Sequence, residues 1–127
     1  MSLHGASARP EDWYAAADVV VVPSRWEGMA LVPLEAMACE RSVVGFDVAG
    51  LAESIGDAGA VIPRADLRGL AREVATRLAD PALALREGRR GRIRAVTLYD
   101  RGQAVAGTDD AVRQLLGHDQ PQHQFPA

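Results

Sequence analysis

Two carboxylates, Glu27 and Glu35, with seven residues between them, lie in the run Pro23-Ser24-Arg25-Trp26-Glu27-Gly28-Met29-Ala30-Leu31-Val32-Pro33-Leu34-Glu35. An ionised glutamate only accepts hydrogen bonds, so each of them suits a pair of neighbouring hydroxyls that donate to its two oxygens. Between them, Gly28, Met29, Ala30 and Leu31 precede Pro33, a residue that fits the first turn of a helix because the N–H it lacks would have no intrahelical partner there. Unpaired amides at a helix start favour a phosphate, and Gly28 permits a close backbone approach. If the helix begins near Leu31, the two carboxylates sit on different elements and can address opposite ends of one elongated ligand.

The elements that must hold these residues are legible from pattern. Val19-Val20-Val21-Val22, closed by Pro23-Ser24, reads as a buried parallel strand ending in a turn, and residues 31–39 read as the following helix. A strand over 43–46 completes a βαβ unit whose crossover is expected to be right-handed. Before this unit, Pro10 with Glu11 and Asp12 starts a short helix that ends near Asp18. After it come one helical turn over 50–55 and a third strand over 60–62. Asp66 caps a helix over 67–79 with Leu67, Leu70, Ala71, Val74 and Leu78 as its apolar stripe. Asp80-Pro81 restarts a helix through about Val96, where Arg86, Arg89, Arg90, Arg92 and Arg94 read as a solvated face. Residues 101–116 read as helical, although Gly102 and Gly107 each weaken that reading by roughly 1 kcal/mol relative to alanine. The first 117 residues therefore form one domain, and the polar, proline-containing segment 118–127 is expected to be a flexible tail.

Taken in order, these pieces resemble the nucleotide-sugar-binding region of retaining glycosyltransferases with two facing Rossmann-like domains, the GT-B architecture of the group 1 glycosyl transferases. Ala17-Asp18-Val19-Val20-Val21-Val22-Pro23-Ser24 is similar to the family's strand into the donor loop. Glu27-Gly28-Met29-Ala30-Leu31 through Glu35-Ala36-Met37-Ala38 is similar to its E-x7-E segment. Val43-Val44-Gly45-Phe46, Ala49-Gly50-Leu51-Ala52-Glu53 and Gly56-Asp57-Ala58-Gly59-Ala60-Val61-Ile62-Pro63 resemble the next strand, turn and strand. The resemblance covers roughly residues 3–96. It implies an α/β fold: a partial Rossmann-like three-layer α/β/α domain with a short, mostly parallel sheet, the second half of a GT-B C-terminal domain.

The resemblance also implies roles. Glu27 would face the donor sugar as the catalytic-site carboxylate, in a positioning role, and Glu35 would hold the ribose hydroxyls. Ser24, Arg25, Gly28, Met29, Ala30 and Leu31 complete the donor-binding set. No cofactor is implied, the substrate being a nucleoside diphosphate sugar, and no metal. The chain departs from the family at Glu40-Arg41-Ser42, where a Gly-hydrophobic-Pro turn is usual, and it lacks lysine altogether. The family's acceptor domain and the early strands with the Arg and Lys that neutralise the diphosphate are also missing. Sugar transfer by this chain alone is accordingly not expected, and its partners would be the missing N-terminal half of the enzyme or a second copy in a homodimer.

Several residues carry a second reading. Arg25 either touches phosphate or caps the loop, Trp26 either stacks on a base or sugar or packs beside the loop, and Ser24 either contacts the donor or satisfies the turn. Glu53 stands at a recurrent glutamate of the family, or simply starts a helix. For the whole chain the alternative is a non-catalytic truncated α/β module that acts by assembly with itself or another chain; epimerase or phosphorylase chemistry on the same architecture fits the Glu27 to Glu35 segment less well.

Composition sets the outer limits. A 127-residue chain with 48% hydrophobic and 24% charged residues is ordinary globular material. The net charge of −3, with acids and arginines interspersed, offers no field for nucleic acid. Cys39, the one cysteine, precludes an internal disulfide and fits a reducing compartment, and no stretch approaches the ~20 apolar residues of a membrane span. The location expected is cytoplasmic. His4, His118 and His123 show no metal-ligand spacing.

Overall fold

The computed structural model describes residues 2–28, 31–99, 102 and 111–113. The element order is α1 (Pro10–Ala16), β1 (Val19–Val22), α2 (Leu31–Ala38), β2 (Ser42–Phe46), α3 (Leu51–Ile55), β3 (Gly59–Ile62), α4 (Leu67–Ala79) and α5 (Pro81–Leu98). Every strand and helix expected through residue 96 is present within two residues of its expected bounds. Residue 102 and residues 111–113 are helical. The remainder of the helix expected over 101–116, and the tail 118–127, lie outside the described residues.

The three strands form a parallel sheet in the order β1-β2-β3, with Val19 opposite Ser42, Val22 opposite Gly45, Val43 opposite Gly59 and Phe46 opposite Ile62. β2 is central and buried along its whole length. Its successive residues Val43 and Val44 point to opposite faces and are both fully buried, so helices cover the sheet on both sides. Met37 of α2 and Leu51 and Ile55 of α3 complete the core. This is the α/β fold with a short parallel sheet expected from the sequence.

The turn at Glu40-Arg41-Ser42 is a Schellman-type cap: the Glu40 N–H donates to Met37 O and the Arg41 N–H to Ala36 O, both at 2.9 Å. Glu40 holds φ 59°, a left-handed position at which a glycine would avoid a strain of roughly 1 kcal/mol. Gly88 of α5 then packs directly against the Glu40 carbonyl, leaving no room for a side chain at that crossing.

Two expectations about the outer helices are corrected. The stripe on α4 is displaced, because Leu70 is buried and Val74 partly buried while Leu67 and Leu78 are 68% and 55% exposed. Ala71 is exposed as well, and the inner face includes Gly69 and Arg77. The reason is polar: Arg77 turns inward to meet Glu87, and the helix rotates with it. The arginines of α5 are also more than a solvated face. Arg92 donates to Ala38 O at 2.6 Å, at the C-terminus of α2, and Arg94 donates to Glu53 O and Ser54 O at 2.6 and 3.1 Å, in the last turn of α3. They satisfy carbonyls that have no intrahelical donor and bring positive charge to the negative ends of two helices.

Candidate functional site

The carboxyl ends of β1, β2 and β3 lie side by side, as parallel pairing requires, and the Glu27 loop leaves the first of them. Glu27 is half-buried and makes no hydrogen bond or ion pair with any described residue. Gly28 is exposed, and a Cβ built there would meet nothing within 4 Å. Nothing internal therefore demands glycine at this position, and the open side of the backbone is available to a ligand. Met29 and Ala30 lie outside the described residues; α2 begins at Leu31, itself exposed.

The loop is supported from the next crossover. Gly50, just before α3, has φ 79°, and the Gly28 carbonyl lies 3.1 Å from where its Cβ would stand. A left-handed backbone and a close neighbour both require glycine there. Ser54 Oγ donates back to Gly50 O at 2.7 Å and closes the short α3 turn. The segment from Asp47 to Glu53 thus backs the Glu27 loop through Gly50, while Glu53 contributes its carbonyl to Arg94.

Glu35 lies one turn into α2 and is exposed. Tyr14 Oη, from α1, donates to Glu35 Oε2 at 2.8 Å. Partial burial pushes the Tyr14 phenol up to about 12, and the hydrogen bond to Glu35 and that residue's negative charge push the same way. Tyr14 therefore remains a donor across the physiological range. With Oε2 engaged, Oε1 is the oxygen left for a ligand. Glu35 lines a depression of about 340 Å³ with Leu31, Leu34, Ala38, Ala95, Val96 and Tyr99, between α2 and α5.

Arg25 is placed elsewhere. It lines a groove of about 620 Å³ that runs across the strand ends with Pro23, Trp26, Phe46, Arg64, Ala65 and Leu67. Trp26 is 81% exposed, so it is not packing beside the loop. Ser24 is half-buried at the root of the loop. The structure thus brings Arg25 and Trp26 into one depression and Glu35 into another, with Glu27 between them in sequence. Among the described residues no cluster of His, Cys, Asp or Glu could hold a metal ion. Sequence reasoning missed Tyr14 and Arg64: the first is brought in by α1 packing on α2, the second by strand order, and neither carries a local signal.

The family model described as Glycosyl transferases group 1 matches residues 1–80. The chain belongs to the glycosyl transferases group 1 family. It is 45% identical over 78 residues to the lipopolysaccharide core biosynthesis mannosyltransferase LpcC of Rhizobium leguminosarum, an alignment covering 60% of this chain and 22% of that protein. It is 35% identical over 107 residues to the D-inositol 3-phosphate glycosyltransferase of Streptomyces bingchenggensis, covering 83% of this chain and 23% of that one. Among solved structures, the sucrose-phosphate synthase of Thermosynechococcus elongatus superposes with a TM-score of 0.79 at 36% identity, covering 84% of this chain and 27% of that one. The group 1 chain described here thus spans less than a third of each of these relatives, and its likeness to them is that of a piece of the GT-B architecture. No helix among the described residues is long and apolar enough to cross a membrane.

Proposed function

We propose that this group 1 chain is the nucleotide-sugar donor-binding part of a retaining glycosyltransferase, acting in the cytoplasm. The observation that carries the reading is the placing of two carboxylates on either side of one helix start: Glu27 in the loop with no partner among the described residues, Glu35 a turn into α2 with Oε1 open. In this reading the Glu35 carboxylate accepts from the ribose diol, and the amides of Gly28, Met29, Ala30 and Leu31 take the diphosphate. Ser24 supports the root of the loop, and Glu27 orients the donor sugar for transfer with retention. Relatives whose names describe mannosyl transfer and glycosyl transfer to an inositol phosphate support the reaction class.

The chain by itself supplies one wall of the cleft. Positioning of two substrates and positive charge at the departing diphosphate are both needed for turnover, so transfer requires the remainder of the enzyme, supplied by another segment or another chain. Binding survives without turnover, with a dissociation constant on the order of millimolar, about −4 kcal/mol. NMR titration of the 127-residue chain with uridine and guanosine diphosphates tests this. Shifts should centre on Gly28 and Leu31 to Glu35, and Glu35→Gln should weaken them. Gly28→Ala should leave thermal stability within about 0.5 kcal/mol, since its Cβ position is open, and yet reduce nucleotide binding. Shifts that map away from this segment, or sugar transfer by this chain alone, would overturn the proposal.

A further inference from the structure

At the other end of the sheet from the Glu27 loop, a cleft of about 430 Å³ opens between the starts of β1 and β2 and the corner that joins α4 to α5. Asp18 and Arg41 line it from the sheet. They immediately precede Val19 and Ser42, which are register partners, so they stand side by side on neighbouring strands about 4.8 Å apart. A carboxylate and a guanidinium so placed are expected to pair. Yet no ion pair joins them, and neither side chain bonds any other described residue. Glu40, on the same wall, lies 3.7 Å from Arg92 instead. Arg41 Nε is buried with no partner, alone in this among the side-chain nitrogens and oxygens of the described residues, while its terminal nitrogens, equally unpartnered, reach solvent. From the corner, Leu78 and Leu85 turn apolar surface toward the cleft beside Pro81 and are 55% and 48% exposed.

An unsatisfied buried donor in a native fold calls for a partner from outside the chain. A carboxylate fits Arg41, because a guanidinium donates to its two oxygens in pairs. Asp18 is then left without a cation, and an ammonium beside that carboxylate supplies three donors to it. A simple anion would face Asp18 unrelieved and leave Leu78 and Leu85 bare. An apolar side chain on the same molecule covers them. Ammonium and carboxylate on one carbon, with an apolar side chain, describe an α-amino acid, and the cleft volume is in the range of small-molecule sites. The cleft shares no residue with the strand-end groove or with the depression at Glu35.

We propose that the cleft at the base of the sheet binds a free α-amino acid with an apolar side chain, its carboxylate on Arg41, its ammonium on Asp18 and its side chain against Leu78 and Leu85. The site is independent of the donor reading of Glu27 and Glu35. L-Leucine is the probe, titrated into the 127-residue chain with the amides followed by NMR. The expected result is a saturable response at Asp18, Arg41, Leu78 and Leu85, with a dissociation constant on the order of millimolar. Glycine, 4-methylpentanoate and 3-methylbutylamine, which lack the side chain, the ammonium and the carboxylate in turn, should each bind more weakly. Arg41→Met should weaken leucine about tenfold and leave the melting temperature unchanged or higher, since it removes a buried donor that has no partner in the chain. Asp18→Asn should weaken leucine about threefold and not weaken 4-methylpentanoate, while Arg86→Ala, outside the cleft, should alter neither. No response to leucine at tens of millimolar would overturn the site and leave Arg41 Nε to solvent. Affinity for 4-methylpentanoate equal to that for leucine would overturn the amino-acid class. Displacement of leucine by uridine diphosphate would overturn its separation from the strand ends, whereas nucleotide shifts that miss Gly28 to Glu35, with leucine still bound at Arg41, would remove the donor reading and leave this site standing.

Discussion

At the scale of single residues, the Tyr14 and Glu35 pair links the candidate site to a measurable titration. The neutral phenol donates to the carboxylate at 2.8 Å, and ionisation would replace that bond with repulsion between two anions. With the folded pKa raised from 10.0 to about 12, the unfolded chain loses its proton first as pH rises. The stabilisation is therefore present in full below about 10 and is lost as pH rises toward about 12. Ultraviolet titration of the phenols in a Tyr99→Phe background should show Tyr14 ionising near 12, and Glu35→Gln should move it down toward 10. A titration near 10 in both proteins would remove the pair. The two glutamates were legible in the sequence because their spacing, and the Pro33 that starts the helix, lie within thirteen consecutive residues. Tyr14 was not, because it stands 21 residues before Glu35 and reaches it only through the packing of α1 on α2. Arg64 was hidden for a similar reason: its nearness to Arg25 follows from strand order and register, which periodicity does not specify.

At the scale of elements, the strands and helices were legible because the valine runs, Asp66 and Asp80-Pro81 are local signals; Asp66 caps as expected, to Gly69 N, and Asp80 also caps, to Leu83 N. What pattern could not disclose is how α4 and α5 are clipped to the base of the sheet. Arg77 Nε and Nη2 each lie 2.8 Å from an oxygen of Glu87, Arg77 Nη1 lies 2.9 Å from Glu73, and Ser42 Oγ donates to Glu87 at 2.6 Å. The Arg77 and Glu87 side chains are only 4% and 6% exposed. A hydrophobic stripe would predict Leu78 inward, yet the buried pair takes that place in the layer and leaves Leu78 at the rim. Breaking such a pair from one side strands a buried charge, so Arg77→Met should cost about 3–5 kcal/mol. Arg77→Met with Glu87→Leu should cost markedly less, since no charge then remains uncompensated. Urea denaturation with equal slopes would measure both, and a double variant as unstable as the single one would show that the pair itself, rather than the stranded charge, supplies the stability.

At the scale of the whole molecule, the sheet is finished on neither outer edge by a described strand, and β1 is the more consequential edge because the Glu27 loop leaves from it. Val21 is 38% exposed in the middle of a four-valine strand that composition marks as an interior one. Its outer N–H and C=O groups are a template for another strand. In the group 1 relatives this chain aligns with less than a third of the length, so a further segment or a second copy are both available as the neighbour. For the 127-residue chain in isolation we predict a homodimer, since closed two-fold pairing consumes the edge in both copies at once. Sedimentation velocity at tens of micromolar should show the dimer, and Val21→Lys should give a monomer of unchanged helical content, because a lysine on an edge strand opposes pairing without disturbing the β1 to β2 ladder. A wild-type chain that stays monomeric at that concentration would rule out self-pairing and leave the edge to a strand from the rest of the enzyme. That assignment has its own signature: a peptide spanning such a strand should then bind the monomer, protect the Val19–Val22 amides from exchange, and tighten nucleotide binding at Gly28, because fixing β1 on both sides fixes the loop that leaves it.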